Sequence, residues 1–540
     1  MLRVEIKANQ LFSTLKLKCE NCVYWGTEKC VYRHKAHLLK PSDEACDDGL
    51  LVFNIDRDVV IVRGETKLIT PIKSISSTKT KNLIMERFLL EPDEVEELII
   101  YIKQKLNKEM NIKKRGRRVS KPKIDPEIER RALELLRSPQ ILDLFLEDSG
   151  RWVVMDETAR KIELLVCISA LGDFPLNLAL LGEFSTGKTK TITTIARYFE
   201  DQDVWFLGGM SPKSLIHQKG EYDEGREAYI IDLRFKVLIF LDEPQLETLI
   251  MLKPLLSRDK FETTYKYVHK EKMRTMTTIL RGWPVCIFCG VRSRYTRELA
   301  SRWLTCSPES SIEKIREVIK RKGDIAKRPE LYSEGETFKA FKRAFQILKA
   351  NAPYTVVIPF ADLLAAHFRA QRPEDMRFFD LFLGLIKASA ILHAFQRERD
   401  ELGRIIAEIR DYEVAFEVFK EIEKPTVYGV GRNVIMFYER CLKPEDDIIG
   451  GGAQRLYTYD ELLSRYFETF GRPVSRSQLR EEYLKPLERV GLIDFEPNPE
   501  DKRMRLIAPK PMVRSSLIDD AGFRRTYINM KGGSTGNESN

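Results

Sequence analysis

Leu178-Ala-Leu-Leu-Gly-Glu-Phe-Ser-Thr-Gly-Lys-Thr189 decides the fold. Its first four residues are apolar without a polar alternation, which reads as a short strand buried on both faces. The next eight have the form G-x-x-x-x-G-K-T, and a helical run follows to Tyr198. Strand, glycine-rich loop and helix in that order make a P-loop. Gly182 and Gly187 let the intervening Glu183, Phe184, Ser185 and Thr186 turn their amide groups inward, and the helix directs its positive end at the same point. Lys188 is then placed to reach the β- and γ-phosphates of ATP, and the Thr189 hydroxyl to ligate Mg²⁺.

A second strand agrees with the first. Val237-Leu-Ile-Phe-Leu241 ends in Asp242-Glu243, 54 residues beyond Lys188. Asp242 is placed to hold the Mg²⁺ shell, and Glu243 to orient or deprotonate the attacking water. Two carboxylates can also simply end a strand, but beside a P-loop they point to ATP hydrolysis. Between about 151 and 310, short apolar runs alternate with helical patterns, the signature of a parallel α/β sheet.

Between that strand and the next lies Phe261-Glu-Thr-Thr-Tyr-Lys-Tyr-Val-His269-Lys270-Glu271-Lys272-Met-Arg-Thr-Met-Thr-Thr-Ile-Leu280, whose Thr/Tyr/Val-rich arms flank a charged tip and read as a hairpin. Trp283-Pro-Val-Cys-Ile-Phe288 then reads as another buried strand, in which Cys286 and Cys289 fall on opposite faces as core residues. A hairpin inserted just ahead of this strand resembles the AAA+ helicase branch that contains the MCM proteins, the superfamily 3 viral helicases and related mobile-element replication proteins. The resemblance covers about 160 to 425. It implies that Lys270 and Lys272, with His269, form a pore-lining tip that grips DNA, where the plain alternative is a solvated turn. It also implies that Ser301-Arg302-Trp303 carries an arginine finger, Arg302, into the ATP site of the next subunit of a ring, with Arg294 and Arg297 as rivals. Arg377, with Arg372 second, would be the sensor-2 arginine on a lid helix. The chain departs from the family where sensor 1 should stand: Cys289-Gly-Val-Arg292-Ser293 replaces the usual polar strand end, leaving Ser293 or Arg292.

The ends read as modules. Cys19, Cys22, Cys30 and Cys46 form a four-thiolate set that suits Zn²⁺, although such a set also holds an iron–sulfur cluster. Near the other end, Tyr459-Asp-Glu-Leu-Leu-Ser-Arg-Tyr-Phe and Ser475-Arg-Ser-Gln-Leu-Arg-Glu-Glu-Tyr-Leu read as two helices. Gly491-Leu-Ile-Asp-Phe-Glu and Lys502-Arg-Met-Arg-Leu-Ile read as a two-stranded wing. Together they resemble a winged helix, with Arg476 and Arg480 on the second helix and Lys502, Arg503 and Arg505 on the wing. Such modules bind duplex DNA or protein.

Composition sets the frame. The chain has 540 residues, with 43% hydrophobic and 32% charged, which fits a globular protein of several domains and not a disordered one. Lys plus Arg exceed Asp plus Glu by 90 − 81 = 9. Part of that excess lies in the acid-free run Lys113–Lys123, which reads as a solvated linker or a polyanion contact. No stretch is long and apolar enough for a membrane span, and the opening Met1-Leu-Arg-Val-Glu lacks a secretory signal, so an intracellular, cytoplasmic protein is expected. Abundant Glu, Lys and Arg with few Gln and Asn suggest a thermophile, prokaryotic or mobile-element encoded.

The expected architecture is an α/β P-loop AAA+ core with a helical lid, a small N-terminal metal-binding domain and a C-terminal winged helix. Its segments are 1–73 Cys-rich, 74–150 helical with a basic linker, 151–310 ATPase core, 311–425 lid, 426–512 winged helix and 513–540 flexible tail. The expected function is an ATP-dependent, ring-forming DNA helicase or translocase of replication, a hexamer with single-stranded DNA in its pore. The alternatives are an initiator or helicase loader that binds DNA through its winged helix, and a regulatory ATPase acting on protein.

Overall fold

The computed structural model describes residues 51–102 and 125–533, apart from 56–57, 64–65, 72–73, 76, 97, 100–101, 209–213, 217, 219, 270–273, 292–296, 443–454, 500, 502–503 and 513–515. The chain folds as two compact units that divide between Ile124 and Asp125. Cys19, Cys22, Cys30, Cys46 and the basic run 113–123 lie outside the described residues.

The first unit holds an antiparallel meander of β1 (Leu51–Ile55), β2 (Asp58–Arg63) and β3 (Thr66–Pro71), followed by α1 (Thr78–Phe88). Val59 and Ile61, two apart and therefore on one face, are buried in one core with Leu68, Ile84, Phe88, Val95 and Leu98. Ser77 caps α1 by accepting from the Thr80 amide.

The second unit opens with three helices, α2 (Pro126–Arg137), α3 (Ile141–Gly150) and α4 (Glu157–Ser169). It continues through β4 (Leu178–Leu181), α5 (Lys188–Ala196), β5 (Val204–Leu207), β6 (Glu221–Asp223), β7 (Ala228–Asp232), β8 (Val237–Phe240), α6 (Leu246–Leu256), β9 (Glu262–His269), β10 (Arg274–Arg281), β11 (Val285–Gly290) and β12 (Leu304–Cys306). Five of these strands form a parallel sheet in the order β12-β4-β11-β8-β5. Every residue of β4, β8, β11 and β12 is buried, as expected of strands covered on both faces. The two faces divide along β11: Val285, Ile287 and Cys289 join one core, while Cys286 and Phe288 join the other. The expected opposite placement of the two cysteines follows from that alternation.

The Thr/Tyr-rich arms pair antiparallel over their whole length, from Glu262 opposite Arg281 to His269 opposite Arg274. They belong to a second sheet, β6-β7-β10-β9, in which β10 also runs parallel to β7. Neither β6 nor β7 is marked in the sequence: Glu-Tyr-Asp is too short to show a hydrophobic period, and Ala-Tyr-Ile-Ile-Asp does not alternate apolar with polar.

Beyond the sheet, α7 (Ile312–Lys327), α8 (Glu336–Ala350), α9 (Asp375–Leu392) and α10 (Ile409–Tyr428) dominate. The apolar faces of α8, α9 and α10 share one core with the sheet: Phe341, Leu348, Leu381, Leu385 and Phe419 cluster with Leu178, Leu180 and Ile239, whereas Ile312, Ile315 and Ile319 of α7 are exposed. A separate core gathers the next stretch. It combines α11 (Arg432–Phe437), continued as a π-helix over Tyr438–Leu442, with α12 (Tyr459–Phe470) and the hairpin β13 (Ile493–Pro497) and β14 (Arg505–Pro509). Between α12 and the hairpin, helical turns run from α13 (Arg476–Gln478) through the π-helical Leu479–Leu484 to Lys485–Arg489.

Two expected boundaries move. α2 and α3, assigned by sequence to a segment ahead of the core, are part of it: Leu136, Ile141 and Phe145 are fully buried, and the Tyr198 hydroxyl donates to Asp148 at 2.6 Å. The expected flexible tail likewise carries α14 (Asp520–Gly533). Phe523 is fully buried, with its ring 4.3 Å from that of Tyr412, and the Tyr412 hydroxyl donates to Asp520 at 2.7 Å. Among the described residues of this helix Phe523 is the one fully buried side chain, too weak a period to read from sequence, and Tyr527 packs beside it against Phe360. Phe523→Ala should therefore lower the unfolding free energy by about 3–5 kcal/mol, measured by urea denaturation of the full chain.

Candidate active site

All five strands of a parallel sheet end at the same edge, and the residues that follow β4, β8 and β11 meet there. The loop after β4 turns at Ser185 (φ 62°) and Gly187 (φ 97°) before α5 begins at Lys188. Gly187 occupies the left-handed region, where a side chain is strained. The Gly182 amide donates to the Gly290 carbonyl at 3.1 Å, tying the loop to the end of β11. β11 lies between β4 and β8, so the loop and the Asp242-Glu243 pair stand two strand spacings apart, roughly 10 Å.

That gap is a cleft of about 720 Å³, lined by Phe184, Ser185, Lys188, Thr189, Asp242 and Glu243 among others, with Cys289 and Gly290 on its floor. Its size suits a ligand the size of a nucleotide. Lys188 is buried, and its ammonium donates to the carbonyls of Gly182 (2.9 Å) and Glu183 (2.6 Å). Burial pushes its pKa down. Phe184 is 76% exposed at the rim, and Asp242 is exposed while Glu243 is half-buried. Burial pushes the Cys289 thiol up to about 12, so at neutral pH it is a neutral wall of the cleft.

The donor set fits a hard cation. A hydroxyl and a carboxylate, Thr189 and Asp242, border one cleft, and Mg²⁺ takes one or two such oxygens and completes its shell with phosphate and water. Chemically, the arrangement can hold a polyphosphate on loop amides and Lys188, a divalent ion beside it, and a carboxylate, Glu243, within the same space.

The other expected residues lie elsewhere. Lys270, Lys272, Arg292, Ser293 and Arg294 fall outside the described residues, and so do Lys502 and Arg503. Arg302 is only 7% exposed, and its Nε donates to Ser257 Oγ at 2.6 Å. The guanidinium is thus bonded within its own chain. Arg377, expected near the phosphate loop, donates instead to Ser301 Oγ at 2.9 Å and is not among the residues lining the cleft. The reason is topological. Ser301 and Arg302 precede β12 at the amino edge of the sheet, a strand length of roughly 10 Å from the carboxyl edge. Arg476 and Arg480 are exposed on adjoining helical turns, with the Arg476 guanidinium 4.8 Å from the Tyr459 ring.

Three features under and behind the loop were not anticipated. Lys314, at the start of α7, is buried and donates to the Thr186 carbonyl at 2.9 Å and to the Asp156 carboxylate. Burial pushes the Asp156 pKa up, opposed by the hydrogen bond from Lys314. Glu183 Oε1 accepts three hydrogen bonds, from Arg472 (2.5 Å), Tyr483 (2.5 Å) and Asn433 (3.1 Å). Glu163, on α4, is fully buried, and neither carboxyl oxygen has a hydrogen-bond partner. The only sequence signal for these was a charged residue on an apolar face, which Glu163 gives within Ile162-Glu-Leu-Leu-Val.

No protein-family model matches the chain, and no curated protein is similar enough to count as a match. Among the described residues, no helix is long and apolar enough to cross a membrane.

Burial pushes the Glu163 pKa well above its ordinary 4.5. Between 4.5 and that raised value the native state binds one more proton than the unfolded chain, so stability falls as pH rises. Glu163→Gln should therefore be more stable than wild type at pH 8. The difference should shrink as pH falls toward 4.5, read from denaturation midpoints across that range.

Proposed function

We propose that the chain is an ATP-driven DNA helicase or translocase of the AAA+ class, working as a ring and resembling MCM-like replication proteins. The single observation that carries this reading is the cleft in which Lys188 and Thr189 face Asp242 and Glu243 across one sheet edge. In it, loop amides and the N-terminus of α5 receive the phosphates, and Lys188 leaves its carbonyl partners to neutralise them. Mg²⁺, held by Thr189 and Asp242, would supply further charge stabilisation on the phosphates. Glu243 orients water for attack on the γ-phosphate and takes its proton.

The β9–β10 hairpin supports a nucleic-acid target. Its paired arms run directly to the tip that carries Lys270 and Lys272. Gripping a phosphate backbone with such residues is independent of sequence and weakens with salt. The helices around Arg476 and Arg480, followed by the β13–β14 hairpin, fit a winged helix, with the two arginines exposed for duplex DNA. In this reading α7 to α10 form the lid.

The second reading, an initiator or helicase loader, is favoured by one observation: the C-terminal helices bond directly to the phosphate loop through Glu183. A switch that alters DNA contacts with nucleotide state would use such a connection.

Unwinding of a forked DNA duplex with ATP separates the two readings. A helicase should part the strands, and Lys188→Ala should abolish it. ATP hydrolysis stimulated by DNA without strand separation would favour the loader, and hydrolysis indifferent to DNA would move the target to protein. The double variant Lys270→Ala, Lys272→Ala should keep basal ATP hydrolysis within about two-fold of wild type yet lose unwinding, with affinity for single strands less dependent on salt. Unwinding at the wild-type rate would remove the hairpin from the mechanism.

A further inference from the structure

We infer that Glu183 couples the nucleotide site to the C-terminal helical module, so that phosphate in the loop and docking of the module oppose each other. The inference rests on the reading of the Lys188 cleft as a nucleotide site and adds a regulatory route to it.

Glu183 occupies one of the positions that the loop motif leaves open, and its two ends face different ways. Its main-chain carbonyl accepts from Lys188 Nζ at 2.6 Å. Its carboxylate Oε1 accepts from Arg472, Tyr483 and Asn433. Those donors come from three places in the module: the turn after α12, the π-helical segment Leu479–Leu484, and α11. Tyr483 is 3% exposed, and its hydroxyl lies 3.0 Å from that of Tyr466, so the bond to Glu183 continues into the module's own core. Where α10 ends, the chain also lies close against the loop strand. A Cβ at Gly431 would stand 3.6 Å from that of Leu181, and the Arg432 amide donates to Ser307 Oγ at 2.8 Å.

The opposition follows from charge. In the docked arrangement the Lys188 ammonium belongs to the carbonyls of Gly182 and Glu183. A bound polyphosphate draws that ammonium away and sets several negative charges beside the Glu183 carboxylate. It also attracts the Arg472 guanidinium, the one cation among the three donors. The docked module therefore holds the loop in the arrangement that phosphate must change. By linkage, removing the docking bonds tightens nucleotide binding by the factor by which nucleotide loosens the module.

The test uses the full chain, a fluorescent ATP analogue with Mg²⁺, and the variants Tyr483→Phe, Arg472→Ala and Lys188→Ala. Tyr483→Phe keeps the ring that packs 5.1 Å from Phe437 and removes only the hydroxyl, so the fold is retained. Tyr483→Phe and Arg472→Ala should each bind the analogue about five-fold or more tightly than wild type. In wild type, amide hydrogen exchange over 459–489 should speed up when the analogue is added; in both variants it should be fast already and respond little. The inference is overturned if wild type binds the analogue, Lys188→Ala does not, and both docking variants bind within about two-fold of wild type. If wild type binds no nucleotide, the nucleotide reading itself fails and takes the coupling with it.

Discussion

A parallel sheet has two unlike edges, and everything placed in this protein depends on that asymmetry. Each strand of β12-β4-β11-β8-β5 delivers the residue after its last apolar side chain to the same side. Loop, carboxylates and the end of β11 therefore converge without any long-range design beyond strand order. The interposed β11 sets the width of the cleft, because each strand adds about 4.8 Å. Residues before the strands, such as Asn177 and Arg302, gather at the opposite edge for the same reason: Asn177 accepts from the Cys286 amide at 3.1 Å and donates to the Leu256 carbonyl.

The central part of this arrangement was legible in the sequence because it is local. Leu178–Leu181 and Val237–Phe240 are short runs with no polar residue, and each leads directly into its chemistry. The two arms of the 262–281 hairpin were legible as β-branched and aromatic runs about a charged tip. What escaped was of two kinds. Weak or missing periods hid β6, β7 and α14; in α14 one or two buried side chains in a polar segment suffice once a large core exists to receive them. Long-range polar pairing hid Lys314 with Asp156 and Glu183 with Arg472, since residues 158 and 289 positions apart carry no mark of each other. The placement of Arg302 and Arg377 escaped for a third reason, because a family resemblance supplies roles but not the burial of a particular guanidinium.

Behind the glycine-rich loop, polar groups have been taken out of water in a way that favours rigidity. Lys314 joins α7 to the Thr186 carbonyl and to Asp156 ahead of α4. A buried pair of this kind gives little net stability against an apolar replacement, but breaking it leaves one charge uncompensated. Its use is geometric: it fixes the loop backbone from behind while the amide side faces the cleft. Glu163 lies in the same dry layer, under α5, and its protonated form is compatible with the apolar side chains around it.

The core that receives Phe523 is the same one that holds α10, and the C-terminal module lies between them in the chain. Its covalent connections both lead back to one body: outward past Gly429, whose φ of 64° ends α10, and inward to Leu517, whose amide donates to Glu423 on α10. A module fastened at a single point can tumble through a cone, whereas one fastened at two neighbouring points swings like a door on paired pins. Two such pins leave the module little freedom beyond a single hinge angle.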